Sequence, residues 1–394
     1  MMMTHNIGDN ASRLGLECRV DCYRYTTRWM NILYAILVFF IVGLVYSHLV
    51  QEFAPSVPQK LPVEVYELDY QDPQQFQEVC RVQQPVVILD PPAYPSILPT
   101  LQECIRQFPK QSLCIKNRLD FPQDTTGIDM PLHSVRDLFT DSDNSESSPS
   151  QYFTENNGTD PQGFLCKTGL DRLIAEESDR ALAPPMTMYK NYDWMMGGPG
   201  VATPLRYHTY NRKYLRVVEG PSIRIKLVPW STSPALRERR DYDTYTFISD
   251  MNLWNPPPTQ QVDIDRMKET GQMVEVELHC GQMLYVPPYW WYSIQYQSGH
   301  QSGQCPRQGL QSVVIEHTYA TYMNRLASIG DLARHWLQRQ TTTQVILRTF
   351  QGAKEESEQS TTTETDDPDS PMVDDSLSPS LPVPIPLQES IEIP

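Results

Sequence analysis

The stretch VELHCGQMLYVPPYWWYSI, residues 276–294, decides the fold. Three short apolar runs meet in it: Met273–Leu278 ends there, and Met283–Val286 and Trp290–Ile294 follow. Gly281 separates the first two, and Pro287-Pro288 stiffens the turn before the third because the proline ring fixes φ. Runs this short, bounded by turn residues, are strands rather than amphipathic helices. Tyr289, Trp290 and Trp291 fall at alternating strand positions, where large aromatics fill a β core or cover its outer face.

Working outward, Tyr214–Val218 and Ile223–Val228 repeat the spacing upstream and Val313–Ile315 repeats it downstream, so the centre of the chain predicts a barrel or a sandwich. Tyr322–Arg339 then changes to helical spacing through Leu326, Ile329, Ala333, Trp336 and Leu337, a face expected to pack on the barrel or on a second copy of the chain. Nearer the N-terminus, Asp72-Pro73 reads as a helix cap with proline in the first turn, placing Phe76, Val79 and Cys80 on one face of a helix ending near Arg81. Gln84–Leu89 reads as a buried strand entered through Pro85. Asp141–Pro161, rich in Ser, Asp, Asn and Pro, reads as an exposed insertion loop inside a domain spanning residues 63–340. It carries the sequon Asn157-Gly-Thr, making Asn157 a candidate glycosylation site.

Both ends have a different character. Ile32–Val50 is nineteen residues without a formal charge, and residues 29–50 are long enough to span a bilayer. Gln51-Glu52-Phe53 follows instead of small cleavage-site residues, so a retained anchor is expected, with 51–62 as a stalk. Arg13, Arg19, Arg24 and Arg28 precede the segment and the first basic residue after it is Lys60, which predicts a single-pass protein with residues 1–28 in the cytosol. Cys18 and Cys22 there suit S-acylation. Beyond the anchor lie Cys80, Cys104, Cys114, Cys166, Cys280 and Cys305, an even number that permits disulfides and equally suits buried thiols. Residues 352–394 are acidic and Ser/Thr/Pro-rich, and are expected to be disordered. Eleven acids against one lysine from Gln351 onward supply ten of the sixteen net negative charges. With no basic patch, nucleic acid is not an expected partner.

Together, residues 276–294 and WMMGGPGVATPLRYHTYNRKYLRVVEGPSIRIKLVPW, residues 194–230, resemble the two signature regions of the Jumonji C/cupin-like family of iron- and 2-oxoglutarate-dependent oxygenases. The resemblance implies a mainly β domain with flanking helices, a double-stranded β-helix of the cupin or jelly-roll type. The tyrosine in PPYWWYSI further resembles the degenerate, membrane-anchored cupin-like proteins of large DNA viruses, which would put the chain in a host or virion membrane. Catalytic relatives hold Fe(II) on two histidines and a carboxylate; here the matching positions are Arg206, His208 and Tyr292. A lysine that grips 2-oxoglutarate in some relatives falls near Ile223.

Two readings follow. In the first the protein binds no cofactor and is a non-catalytic binding or structural module for an unknown protein partner, with self-association through the C-terminal helix. Arg206, Arg224 and Lys226 then form a candidate anion site, unless Arg206 simply pairs with Glu219 or another acid. In the second it is an Fe(II)- and 2-oxoglutarate-dependent hydroxylase or demethylase whose metal site is rebuilt from groups such as Glu219, His279 or His317.

Overall fold

The computed structural model describes residues 29–46, 62–70, 72–91, 98–121, 127–140, 151–158, 163–297 and 311–342. The expected cytosolic segment, most of the stalk and the acidic tail lie outside these residues. Helix α1 (Trp29–Tyr46) has eighteen residues, a mean hydropathy of 2.2 and no buried positions, and is long and apolar enough to cross a membrane.

The domain begins with β1 (Tyr66–Leu68), α2 (Pro73–Arg81), β2 (Val86–Ile88), α3 (Leu101–Gln107), β3 (Ser112–Asn117), β4 (Ile128–Pro131), α4 (Leu132–Thr140) and β5 (Tyr152–Thr154). After α5 (Phe164–Thr168) and α6 (Leu170–Leu182) come β6 (Thr187–Gly197), β7 (Arg206–Tyr207), β8 (Arg212–Glu219) and β9 (Ile223–Val228). The chain continues through β10 (Glu238–Asp241), β11 (Thr246–Ser249), α7 (Pro258–Glu269), β12 (Val274–Leu278), β13 (Met283–Val286), β14 (Trp291–Tyr296), β15 (Val313–Thr321), α8 (Tyr322–Ala327) and α9 (residues 329–342).

One nine-stranded sheet has the order β1-β2-β13-β8-β15-β6-β5-β3-β4, and a six-stranded sheet the order β10-β11-β7-β14-β9-β12. From β6 to β9 and again from β12 to β15 the chain alternates between the sheets, which makes the pair a double-stranded β-helix, mainly β with helices at its flanks. Alternation along each strand sends one set of side chains between the sheets. Val87, Leu215, Ile225, Leu284, Ile294 and Val314 meet there. The opposite face of the large sheet, with Tyr214 and Ile315, is covered by helical residues such as Phe76, Phe139 and Ile174. Outside the small sheet, Ile264 and Met267 of α7 pack near Val228, Phe247 and Trp291.

The strands read from the sequence around 214–228 and 273–286 are present within two residues at each end. At α2, Asp72 accepts from the backbone N–H groups of Gln74 and Gln75, as its cap position requires. Trp290–Ile294 needs correction: β14 begins at Trp291, because Tyr289 takes φ +63° and the Trp290 N–H turns back to the Pro287 carbonyl. The helix predicted over Tyr322–Arg339 is broken at Ser328 into α8 and α9. Leu326, Ile329, Trp336 and Leu337 are exposed, while Asp331 and His335 bond to Tyr242. Within the stretch read as an exposed loop, residues 152–158 instead form β5 and a buried turn, because Phe153, Thr154, Glu155 and Asn157 face inward.

Gly220 turns β8 into β9 at φ +85°, and a Cβ there would lie 2.0 Å from the Gln311 carbonyl oxygen. Gly220→Ala therefore combines a left-handed strain with a backbone clash and should destabilise the domain by at least about 2 kcal/mol in urea melts.

Candidate functional site

At one end of the barrel the inward positions stop being apolar. Along β15 the inward series runs Val314, Glu316, Thr318; along β8 it runs Val217, Leu215, Lys213; along β6 Met195 is followed inward by Asp193. Register brings them together: Asp193 lies opposite Glu316, Lys213 opposite Thr318, and Arg206 of β7 opposite Tyr292 of β14. Unpaired, each charge would be costly here.

Pairing is supplied by Glu155, which follows β5. One of its carboxylate oxygens accepts from the Lys116 ammonium at 3.0 Å, and the other accepts from Nη1 of Arg206. The Arg206 guanidinium also lies 5.5 Å from the centre of the Tyr292 ring, and the Lys213 ammonium lies 5.9 Å from it. Lys213 is in turn paired with Glu316, which accepts from the Thr318 hydroxyl at 3.0 Å. Burial pushes the Glu155 carboxyl up, but the charges and hydrogen bonds of Arg206 and Lys116 outweigh it and hold the group down at about 2.

Asp193 positions this bridge. Its carboxylate accepts from the backbone N–H groups of Asn156 at 2.7 Å and Asn157 at 2.6 Å, fixing the turn on which Glu155 sits. Asn156 holds φ +66° there. Burial, with the facing Glu316 charge added, pushes the Asp193 carboxyl up to about 7 despite those two hydrogen bonds.

Arg206, His208 and Tyr292, the three positions matched to the metal ligands, do cluster: the His208 and Tyr292 ring centres are 6.3 Å apart. His208 Nε2 lies 3.1 Å from the Val286 carbonyl, which can only accept, so Nε2 carries a proton. Burial and the Lys213 charge hold this imidazole well below its ordinary range. Outward from it, Tyr210 stacks on His208 at 6.2 Å and on Tyr189 at 5.8 Å, and Arg325 of α8 lies 4.2 Å over Tyr189. Asn324 ties α8 down through the Thr209 carbonyl at 2.7 Å.

Arg224 and Lys226 do not join Arg206. Tyr292 pairs with both Arg206 and Leu227, so those three share the inner face, whereas Lys226 pairs with Ser293 on the outer one. There Arg224 meets Glu275, and Lys226 lies 4.1 Å over Trp254 and donates to the Leu253 carbonyl. The anion site expected from the three cations is thus split by strand alternation. Ile223, near the position of the 2-oxoglutarate lysine, is part of the apolar interior. Glu219 accepts from the Leu101 N–H at the start of α3 rather than from Arg206. His317 faces away from the network and bonds to Ser178 at 3.1 Å, and His279 is exposed in the turn after β12.

Asn157 is also corrected. It is 2 % exposed, its Nδ2 donates to Thr154 and to the Trp194 carbonyl, and its Oδ1 accepts from the Cys114 N–H, so no glycan fits on it in the folded domain. Cys280 is disulfide-bonded, while Cys80, Cys104, Cys114 and Cys166 are free thiols.

The iron implied by the resemblance does not fit these residues. A guanidinium has no lone pair to give a metal and repels it, and Arg206 stands between two further cations, Lys116 and Lys213, that share its acids and its aromatic neighbour. Among the described residues no group of three or more His, Cys, Asp or Glu side chains is placed to hold a metal ion.

Interleaved sheets around an inward-facing cluster at one end define a cupin-type barrel. The chain belongs to the cupin-like domain family, whose profile matches residues 119–315, half of its length. No curated protein matches it.

Lys116, Glu155, Asp193, Lys213 and Glu316 were not picked out as site residues from sequence. Glu316 carries a usable signal, a charge inside the apolar run VVIEHTY, and Lys213 directly precedes the apolar run Tyr214–Val218; Glu155, in polar surroundings, carries none.

Glu155→Gln should cost about 3–5 kcal/mol in urea melts, since it strands two buried cations, and adding Arg206→Met should recover part of that loss. The pH dependence has two limbs. Glu155, lowered from 4.5 to about 2, contributes stability that is present above 4.5 and lost as pH falls towards 2. Asp193, raised from 3.8 to about 7, contributes stability that is full below 3.8 and lost as pH rises through 7. Asp193→Asn should flatten the second limb and, because an amide has one acceptor oxygen for the two N–H groups that hold the Glu155 turn, should shrink the first as well.

Proposed function

We propose that this is a single-pass membrane protein whose cupin-like barrel is a non-catalytic binding or structural module, with the iron position taken over by an internal ion-pair network. The observation that carries the reading is the Glu155 bridge between Lys116 and Arg206. An oxygenase needs open coordination positions for 2-oxoglutarate and oxygen, and a fixed guanidinium against Tyr292 offers a metal none. The apolar helix α1 and the arginines before it support an anchor with the N-terminus in the cytosol and the barrel on the other side of the membrane.

The deciding experiment is elemental analysis of residues 52–351 after anaerobic loading with Fe(II) and 2-oxoglutarate and then desalting. Loss of the iron, with no heat on titrating 2-oxoglutarate, is the expected outcome; close to one retained iron per chain would replace this reading with the oxygenase.

Partner contact belongs to the surface on this reading. The exposed Ile329, Trp336 and Leu337 of α9 form the face for self-association. Light scattering should give a dimer for the parent chain and a monomer for Trp336→Glu/Leu337→Glu; a monomeric parent removes the idea.

A further inference from the structure

Each sheet leaves one strand unpaired on the same side of the barrel. β1 is the edge of the large sheet and pairs with β2 alone; β12 is the edge of the small one and pairs with β9 alone. Between them runs a groove of about 370 Å³ whose floor is apolar, formed by Val65, Val87, Val274 and Val276. Its rim carries Glu67 on β1 and Glu275 and Glu277 on β12, and of these Glu275 is already ion-paired with Arg224 of β9.

Two tethers fix the flanks. The Val63 N–H donates to the Gly271 carbonyl at 2.8 Å, tying the approach to β1 to the turn before β12. After β12, the His279 N–H donates to Gln282 Oε1 at 2.9 Å and holds the hairpin into β13. The groove is therefore preformed, which lowers the ordering cost of filling it.

Exposed edges are usually blunted by lysine, proline or a bulge. The sequence VEVEL of β12 has none of these and alternates valine with glutamate, so the edge offers backbone groups, apolar contact and negative charge together. A second copy docking edge to edge would set glutamate against glutamate, and the acidic C-terminal segment of the same chain would be repelled likewise. Charge complementarity selects a cationic occupant.

We propose that β12 is a docking edge for an extended basic peptide, which adds as a further strand of the small sheet with its apolar side chains on the valine floor and its lysines or arginines on Glu67 and Glu277. The site uses none of the residues of the ion-pair network and stands whether or not the barrel is catalytic.

The test uses the full chain in detergent micelles and an acetylated, fluorescein-labelled peptide alternating lysine and valine, followed by fluorescence anisotropy. Saturable binding is expected, weakened at least about ten-fold by Glu67→Lys/Glu277→Lys and by N-methylation of the peptide backbone, which removes strand pairing but keeps the charge. Thermal melts establish that the variant is folded. Equal binding of the N-methylated peptide would reduce the contact to charge attraction and overturn strand addition, as would equal binding of a glutamate-valine peptide or no binding at millimolar concentration. Self-association that the peptide competes away would give the edge to a second copy and also overturn the proposal.

Discussion

The structure turns on one carboxylate shared by two cations. Glu155 lies in a barrel interior from which water is excluded, and there an ammonium and a guanidinium are tolerable only against a matched anion. The residues involved come from both sheets: Lys116 from β3, Glu155 from the turn after β5, Arg206 from β7, Tyr292 from β14, and Lys213 and Glu316 from β8 and β15. The two sheets are thereby joined by polar contacts at one end and by apolar packing at the other. A buried polar network is favourable only as far as its groups are satisfied, and here Nε of Arg206 stays buried without a hydrogen-bond partner among the described residues while its Nη1 is held by Glu155.

The network extends outward from the bridge. Asp193 spends its carboxylate on two backbone N–H groups so that Glu155 is aimed inward, and Asn157, in the same turn, binds β3 and β6 through its amide. The price is the close approach of Asp193 and Glu316, two acids opposite each other on neighbouring strands, which together with burial raises the Asp193 carboxyl. Beyond the network, His208, Tyr210, Tyr189 and Arg325 stack in sequence and α8 is held by Asn324, so side chains fill the space outward from His208. The two sheet edges flanking the valine-floored groove lie apart from this network.

What the sequence determined by itself was the local and periodic part. The runs at 214–228 and 273–286 show their strands because their inward positions are uniformly apolar, and the Asp72-Pro73 cap acts within one helical turn. The eleven-residue strand β6 escaped, although it pairs with β15 along its length, because its inward positions include Asn191 and Asp193 and its periodicity is thereby hidden. The positions of Arg206, His208 and Tyr292 were legible through motif spacing, and so was the poverty of that set as metal ligands. Which acid meets Arg206 was decided only by tertiary structure: Glu155 is fifty-one residues away in a polar stretch, and nothing local turns it inward until Asp193 of another strand holds its turn. The same holds for Asn157, a surface sequon by its letters and a buried structural amide once β3, β5 and β6 are side by side. Periodicity reports which residues can be buried, whereas the partner of a buried charge is set by the register between strands distant in sequence.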